Sequence, residues 1–344
     1  MASTPGRAEG IISLSEIINF VKSHKVLVAS AAISAGVYYL TRRYFAGGIC
    51  RSTAQLNGKT VIITGANSGI GKETAKELAK RGATVILACK DLLKAERAAA
   101  YIRKDSENKK VAVKVVDVSS LTSIRKFVED VKKTVPEIHV LINNAGIMYC
   151  PRWVTEDGFE MQLAVNYLGP FLLSHLLLDI MKKSAPCRII NVSSLAYENG
   201  KINLDDLNSE HNYNEFGAYA QSKLAVLLYT RELSRRLQGS GVTVNAVNPG
   251  VTKSELGRHL TGTMPWWRRI IITPLIWLMF KTPLQGAQTA INCAVAPELE
   301  KVSGKYFSDC KEKEPNAVAK EDETGQRLWD KTVQLLHLEK VPEL

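Results

Sequence analysis

Thr60-Val61-Ile62-Ile63-Thr64-Gly65-Ala66-Asn67-Ser68-Gly69-Ile70-Gly71 is an apolar, β-branched run that breaks into three spaced glycines. The run reads as a buried strand, and the pattern after the glycines reads as a helix, expected over 72–81 with Gly82 as its stop. Such a turn lets backbone approach a phosphate closely, and the helix start offers it partial positive charge. Gly65, Gly69 and Gly71 are therefore candidates for a dinucleotide-binding turn, with the amides of Ser68 and Ile70 facing the pyrophosphate.

Working outward, short β-branched runs recur at 84–89, 111–118, 140–142, 188–192 and 242–247, with a last short one at 305–307. Helix-length segments separate them, which implies a doubly wound parallel α/β sheet of the Rossmann kind, a single domain. Ligands of such sheets bind outside the carboxyl ends of the strands. Polar motifs fall at those ends: Asp117, Asn143-Asn144-Ala145-Gly146, Ser193-Ser194 and Asn248-Pro249-Gly250. Farther along, Tyr219-Ala220-Gln221-Ser222-Lys223 places a phenol and an ammonium on one helical face. The ammonium is expected to lower the phenol pKa and make Tyr219 a proton donor and acceptor for hydride transfer at a carbonyl or alcohol.

Composition sets the bounds. The 344 residues carry 45 basic and 34 acidic side chains, a net charge of +11. No basic run is interleaved with aromatics, so nucleic acid is not an expected partner; an anionic cofactor or membrane surface suits the charge, as does a solvated lysine-rich surface. Six scattered cysteines without C-x-x-C or a histidine cluster argue against a metal site. The sequon at Asn191 lies on an expected buried strand and is discounted.

The stretch 26–40 is uncharged, with Lys22 and Lys25 before it and Arg42 and Arg43 after it. With the flanking aromatics to about residue 45 it reads as a membrane-anchor helix within an N-terminal segment 1–50. Residues 11–21 are mildly amphipathic, and Gly47-Gly48 with 51–58 reads as a linker. The catalytic domain is expected over 51–310, with a substrate lid over 251–285 that contains paired Trp266-Trp267 and Arg268-Arg269 beside an apolar run. Lid or interfacial helix, that run fits a lipophilic substrate. A C-terminal extension covers 311–344; 311–323 reads as polar and loose, and 324–338 as an amphipathic helix.

The motifs TGANSGIG (64–71), NNAG (143–146), NVSS (191–194), YAQSK (219–223) and NPG (248–250), in this order, resemble the short-chain dehydrogenase/reductases over roughly residues 57–310. ILACK and the segments around 150–173 and 235–259 resemble its retinol dehydrogenase branch, and TEDGFEMQ is similar to the member associated with the mitochondrial inner membrane. The resemblance implies that Tyr219 exchanges the proton, Lys223 lowers the phenol pKa and holds the nicotinamide ribose, Ser194 orients the carbonyl and Asn166 holds a relay water. It implies that Asp117 meets the adenine, that Pro249, Gly250, Val251 and Thr252 close on the nicotinamide, and that Asn143, Ala145 and Gly146 wall the adenosine site. A strand-bridging role for Asn143 fits equally well. Lys90, where the second strand ends without an acidic residue, favours NADP(H). The expected activity is reduction of retinaldehyde to retinol; the alternatives are another lipid carbonyl (fatty aldehyde, polyprenal, steroid) or a non-catalytic NADPH-binding membrane scaffold. The expected setting is the mitochondrial inner membrane or the endoplasmic reticulum. A homodimer paired through helices near 155–183 and 216–238 is left open.

Overall fold

The structure, a computed structural model, describes residues 22–252 and 280–338 together with Ser15 and Phe20. Most of the expected lid, with its tryptophans, and the amphipathic stretch 11–21 lie outside the described residues, apart from Ser15 and Phe20.

The chain begins with α1 (Lys25–Ala46) and then alternates: β1 (Thr60–Thr64), α2 (Gly69–Lys80), β2 (Thr84–Cys89), α3 (Leu92–Ser106), β3 (Val111–Val115), α4 (Leu121–Thr134), β4 (Val140–Asn143), α5 (Met161–Lys183), β5 (Cys187–Val192), α6 (Glu215–Arg236), β6 (Val242–Asn248), α7 (Pro283–Val295), β7 (Tyr306–Ser308), β8 (Lys311–Lys313) and α8 (Asp322–Leu335). The eight strands lie in the order β3-β2-β1-β4-β5-β6-β7-β8. All neighbours are parallel except β7 and β8. The order reverses between β1 and β4, so a crevice opens above their carboxyl ends.

Both faces of the sheet are covered, which explains why its strands are apolar without alternation. On one face Leu78, Ala98 and Ile291 of α2, α3 and α7 pack on Val61, Ile63 and Val85. On the other, Ile124, Phe171, Leu224 and Leu328 of α4, α5, α6 and α8 pack on Ile62, Leu141 and Ile189. Helix starts follow local chemistry. Ser120 and Asn214 accept from the amides three residues on, and Thr282 and Gln285 form a reciprocal capping box before α7.

Several expectations change. α2 begins at Gly69, inside the glycine turn, rather than at residue 72. β3 stops at Val115, because the Asp117 amide donates to Ser123 Oγ instead of continuing the ladder. The stretch expected to be loose, 311–323, forms the antiparallel strand β8 and a short 3-10 turn. The linker is strapped down: Arg81 Nη1 donates to the carbonyls of Ser52 at 2.8 Å and Ala54 at 3.0 Å. Asn191 is buried and bonds Asn143 and Thr230, as the discounted sequon required.

The C-terminal helix joins the main core. Trp329 is 3% exposed and lies 4.7 Å from the Phe171 ring and 6.0 Å from Tyr229, with Arg236 4.5 Å above it. Thr332 Oγ1 bonds the Tyr167 hydroxyl at 2.8 Å. α8 thus covers parts of α5 and α6, the helices expected to serve as a pairing surface. Trp329→Ala would empty this contact and is expected to lower unfolding free energy by about 3–5 kcal/mol. The denaturant midpoint of the detergent-solubilised chain reads the loss; a shift too small to correspond to 1 kcal/mol would place Trp329 outside the core.

Candidate active site

The carboxyl ends of β1, β2, β4, β5 and β6 and the helices α2, α5 and α6 build the site. Thr64, at the end of β1, ties the crevice together: its Oγ1 accepts from the amides of Asn144 and Ala145, each at 3.0 Å. Asn144 Nδ2 returns a bond to the Thr64 carbonyl at 2.9 Å. A Cβ on Gly71 would stand 2.5 Å from that same Nδ2, so only glycine lets α2 start this close to the 143–146 loop. Ser68 precedes α2 in extended backbone and makes no side-chain cap, which leaves the first-turn amides, including that of Ile70, open to an anion. These features fit a dinucleotide pyrophosphate.

At the end of β2, Lys90 is well exposed and its Nζ lies 2.7 Å from Asp117 Oδ2. Burial pushes the Asp117 carboxyl up, but the bonds from Lys90 and Ser119 outweigh it and hold the pKa below the usual range. Asp91 caps α3, accepting from the Lys94 amide at 3.0 Å. At the start of α2, Lys72 Nζ lies 4.2 Å over the Tyr101 ring.

The proton-handling group gathers where β5 ends and α6 passes. Tyr219 is 5% exposed and Lys223 4%. Lys223 Nζ donates to the Val192 carbonyl at 3.0 Å and stands 5.7 Å from the Tyr219 ring centre. Ser194 hydrogen-bonds the Tyr219 phenol, whereas Ser193 Oγ turns inward to the Lys223 carbonyl at 3.0 Å.

Asn166 sits in a π-helical turn, Ala164–Leu168, within α5. Its Oδ1 accepts from the Ile147 amide at 2.9 Å, and its Nδ2 donates to the Ile147 carbonyl at 3.0 Å and to Ser222 Oγ at 2.9 Å. A Cβ on Gly146 would reach within 3.2 Å of Asn166 Oδ1 and 3.7 Å of Lys223 Nζ, which brings the 143–146 loop to the same spot. Asn143 takes the strand-bridging role: its Nδ2 donates to Asn191 Oδ1 at 2.8 Å and Ser174 Oγ at 3.0 Å. Beyond β6, Asn248 Oδ1 accepts from the Gly250 amide at 3.0 Å and shapes the loop of Pro249, Gly250, Val251 and Thr252. Thr252 Oγ1 donates to the Gly250 carbonyl at 3.2 Å, and Val251 is exposed.

Electrostatics correct one expectation. Burial, the largest cause, raises Tyr219 to about 12, with the Ser194 hydrogen bond opposing it. The same burial lowers Lys223 to about 8. The lysine was expected to pull the phenol down; instead desolvation disfavours phenolate and ammonium alike. Burial thus favours the protonated phenol over phenolate at Tyr219.

Residues missed from the sequence include Thr64, Asn144, Ser222 and Tyr149. Tyr149 holds a left-handed backbone, φ 55°, and its ring lies 6.0 Å from Tyr219 and 5.9 Å from Phe216. The strained position and the aromatic wall it builds beside the phenol carried no spacing signal.

Comparison with known proteins agrees with this geometry. A family model described as short chain dehydrogenase matches residues 59–264. Retinol dehydrogenase 13 of Mus musculus is 53% identical over 300 residues, 87% of this chain and 90% of that protein. Retinol dehydrogenase 12 of Homo sapiens is 52% identical over 295 residues, 86% of this chain and 92% of that protein. Among solved structures, an uncharacterized protein from Mycobacterium Paratuberculosis superposes with a TM-score of 0.69 at 34% identity, covering 85% of this chain and 98% of that one.

A pH profile tests the proton assignments. Lys223 is charged below its pKa of about 8 and neutral above it, while Tyr219 keeps its proton. kcat/KM for carbonyl reduction is expected to fall as pH rises through about 8, and alcohol oxidation, which needs phenolate, to rise across the same range. Tyr219→Phe should lower reduction about 100-fold or more and leave nicotinamide-nucleotide affinity within about twofold. Reduction that stays level through pH 8 would remove Lys223 from the proton path.

Proposed function

The chain belongs to the short-chain dehydrogenase family, a nicotinamide-dependent oxidoreductase, and on that premise we propose that it reduces retinaldehyde to retinol with NADPH at a membrane surface. The observation that carries this reading is the meeting of Ser194, Tyr219 and Lys223 beside a dinucleotide-sized glycine turn, in a chain half identical to proteins named retinol dehydrogenases.

The bound nicotinamide supplies the hydride. Ser194 hydrogen-bonds the carbonyl oxygen, and Tyr219 gives that oxygen its proton. The buried phenol, neutral to about pH 12, suits donation and hence reduction. Lys223, at about 8 the stronger acid of the pair, restores the proton to the phenolate. Asn166, in its π-helical turn, holds the water that links Lys223 to solvent, as the family resemblance implies. Asn143 serves this group through the β4–β5 bridge rather than as a ligand to adenosine.

NADPH rather than NADH is favoured by Lys90, whose exposed ammonium suits a 2′-phosphate. Asp91, the acidic residue that could accept from a 2′-hydroxyl, is engaged as the cap of α3. Ala145 and Gly146 border the adenosine side, and the 249–252 loop the nicotinamide side.

Membrane attachment rests on α1. Its 22 residues span about 33 Å, close to the roughly 30 Å hydrocarbon thickness of a bilayer. Val26, Ile33, Leu40 and Tyr44 are all more than 60% exposed. Met161–Lys183, long and apolar enough to cross a membrane by length and composition, is instead a core helix, 78% buried over its most apolar window. Because α8 covers α5 and α6, the chain works as a monomer, and light scattering in detergent should find one protomer per particle.

With all-trans-retinaldehyde, the solubilised chain is expected to favour NADPH over NADH by about tenfold or more in kcat/KM, and Lys90→Asp to remove that preference, the change expected for one charge-assisted contact. NADPH binding with brisk turnover of a steroid ketone or a fatty aldehyde and none of retinaldehyde would reassign the substrate. Binding with no turnover of any lipid carbonyl would leave a scaffold.

A further inference from the structure

The C-terminal end of α1 does not hang free. Arg42 Nη1 donates to the Phe280 carbonyl at 2.9 Å, across 238 residues of sequence. After α1 the backbone turns at Gly47 and Gly48 and lies against Asp309. A Cβ on Gly48 would stand 1.9 Å from the Asp309 carbonyl oxygen, and one on Gly47 2.1 Å from Asp309 Oδ1 and 2.6 Å from Lys281 Nζ. Lys281, with its side chain 8% exposed, pairs with Asp309 at 2.5 Å.

The place of this cluster in the sheet gives it meaning. Asp309 directly follows Ser308, the last residue of β7, and β7 runs parallel to β6. It therefore stands at the carboxyl end of the sheet, the end that carries Ser194 and Tyr219. Lys281 donates its amide to the Val251 carbonyl at 2.9 Å and bridges Thr252 in parallel. Its Nζ also lies 3.0 Å from where a Cβ on Gly250 would stand. One lysine thus touches the loop beyond β6, the turn beyond β7 and the end of α1.

A second observation concerns the turn that carries Asp309. Asp309 and Cys310 form a two-residue hairpin loop with φ of 53° and 57°. Such loops favour glycine, asparagine or aspartate, because a β carbon crowds the left-handed backbone. Asp309 suits its position and aims its carboxylate at Lys281, while Cys310 carries the steric cost of its own position.

We infer that Lys281 and Asp309 form a joint that fixes α1 to the substrate end of the sheet, so that the bilayer holding α1 presents its dissolved carbonyl compounds to Tyr219. This inference deepens the membrane-reductase reading and rests on it. Lys281 and Asp309 are positioning residues; neither reaches the reacting atoms.

The test uses the full chain reconstituted in phosphatidylcholine vesicles, with Lys281→Met, Asp309→Asn, Gly48→Ala and the exchanged pair Lys281→Asp/Asp309→Lys. Each is assayed with all-trans-retinaldehyde dissolved in the vesicles and, separately, in detergent micelles. The first three are expected to raise KM for the vesicle substrate fivefold or more. Their kcat, micelle kinetics and NADPH affinity should stay within twofold, and the exchanged pair should recover most of the loss. Equal changes in vesicles and micelles, or no change, would overturn the joint. A second readout needs no turnover: trypsin cleavage after the exposed Arg51 in NADPH-loaded vesicles should be several-fold faster in the three variants than in the parent chain. Parent protein that turns over no retinaldehyde, with faster cleavage in the variants, would sink the retinoid assignment and keep the joint. Unchanged cleavage would sink the joint itself.

Discussion

The burial of one lysine ammonium is the constraint around which the rest of the site is arranged. Lys223 has no carboxylate partner among the described residues, and its Nζ rests on the Val192 carbonyl. An ammonium in such a place loses affinity for its proton, and burial brings it to about 8. The surroundings then have to hold it where that weakened proton is useful. Ser193 grips its backbone, Ser222 beside it is gripped by Asn166, and the π-helical turn swings Asn166 far enough to pin both backbone groups of Ile147. Loop 143–146, strand end 192–194 and helix α6 are thereby locked into one register around the lysine.

The same desolvation decides the role of Tyr219. A phenol and an ammonium in water would lower each other's cost; sunk together beside Tyr149, each is pushed toward its neutral form. Burial thus favours the protonated phenol and the neutral amine, so both side chains share one desolvation cost.

Much of this was legible in the sequence, because parallel-sheet topology and ligand geometry share a local grammar. The strands from β1 to β7 and the carboxyl-end motifs follow from short-range spacing, while the pairing of Ser194 with Tyr219 was implied by the family resemblance. What escaped depends on partners far away in the chain. Thr64 looks like an ordinary strand terminus until Asn144 and Ala145 arrive 80 and 81 residues later. Polarity made 311–323 look loose, although its backbone pairs with β7 and its charges face solvent. The pKa order of Tyr219 and Lys223 depends on burial, which their i,i+4 spacing does not report.

Two helices at the chain's ends show how the apolar surface is divided. α8 is amphipathic: Trp329 packs its apolar face on Phe171 and Tyr229, and Thr332 bonds the Tyr167 hydroxyl. α1 keeps Val26, Ile33, Leu40 and Tyr44 exposed, and under the proposed membrane attachment a bilayer would supply their missing contact. Because α1 ends against Asp309 and Lys281 at the carboxyl edge of the sheet, a bilayer holding α1, as proposed above, would meet the catalytic crevice at that end. On that proposal, access for a lipophilic carbonyl depends on how the whole chain is attached as well as on the shape of its pocket.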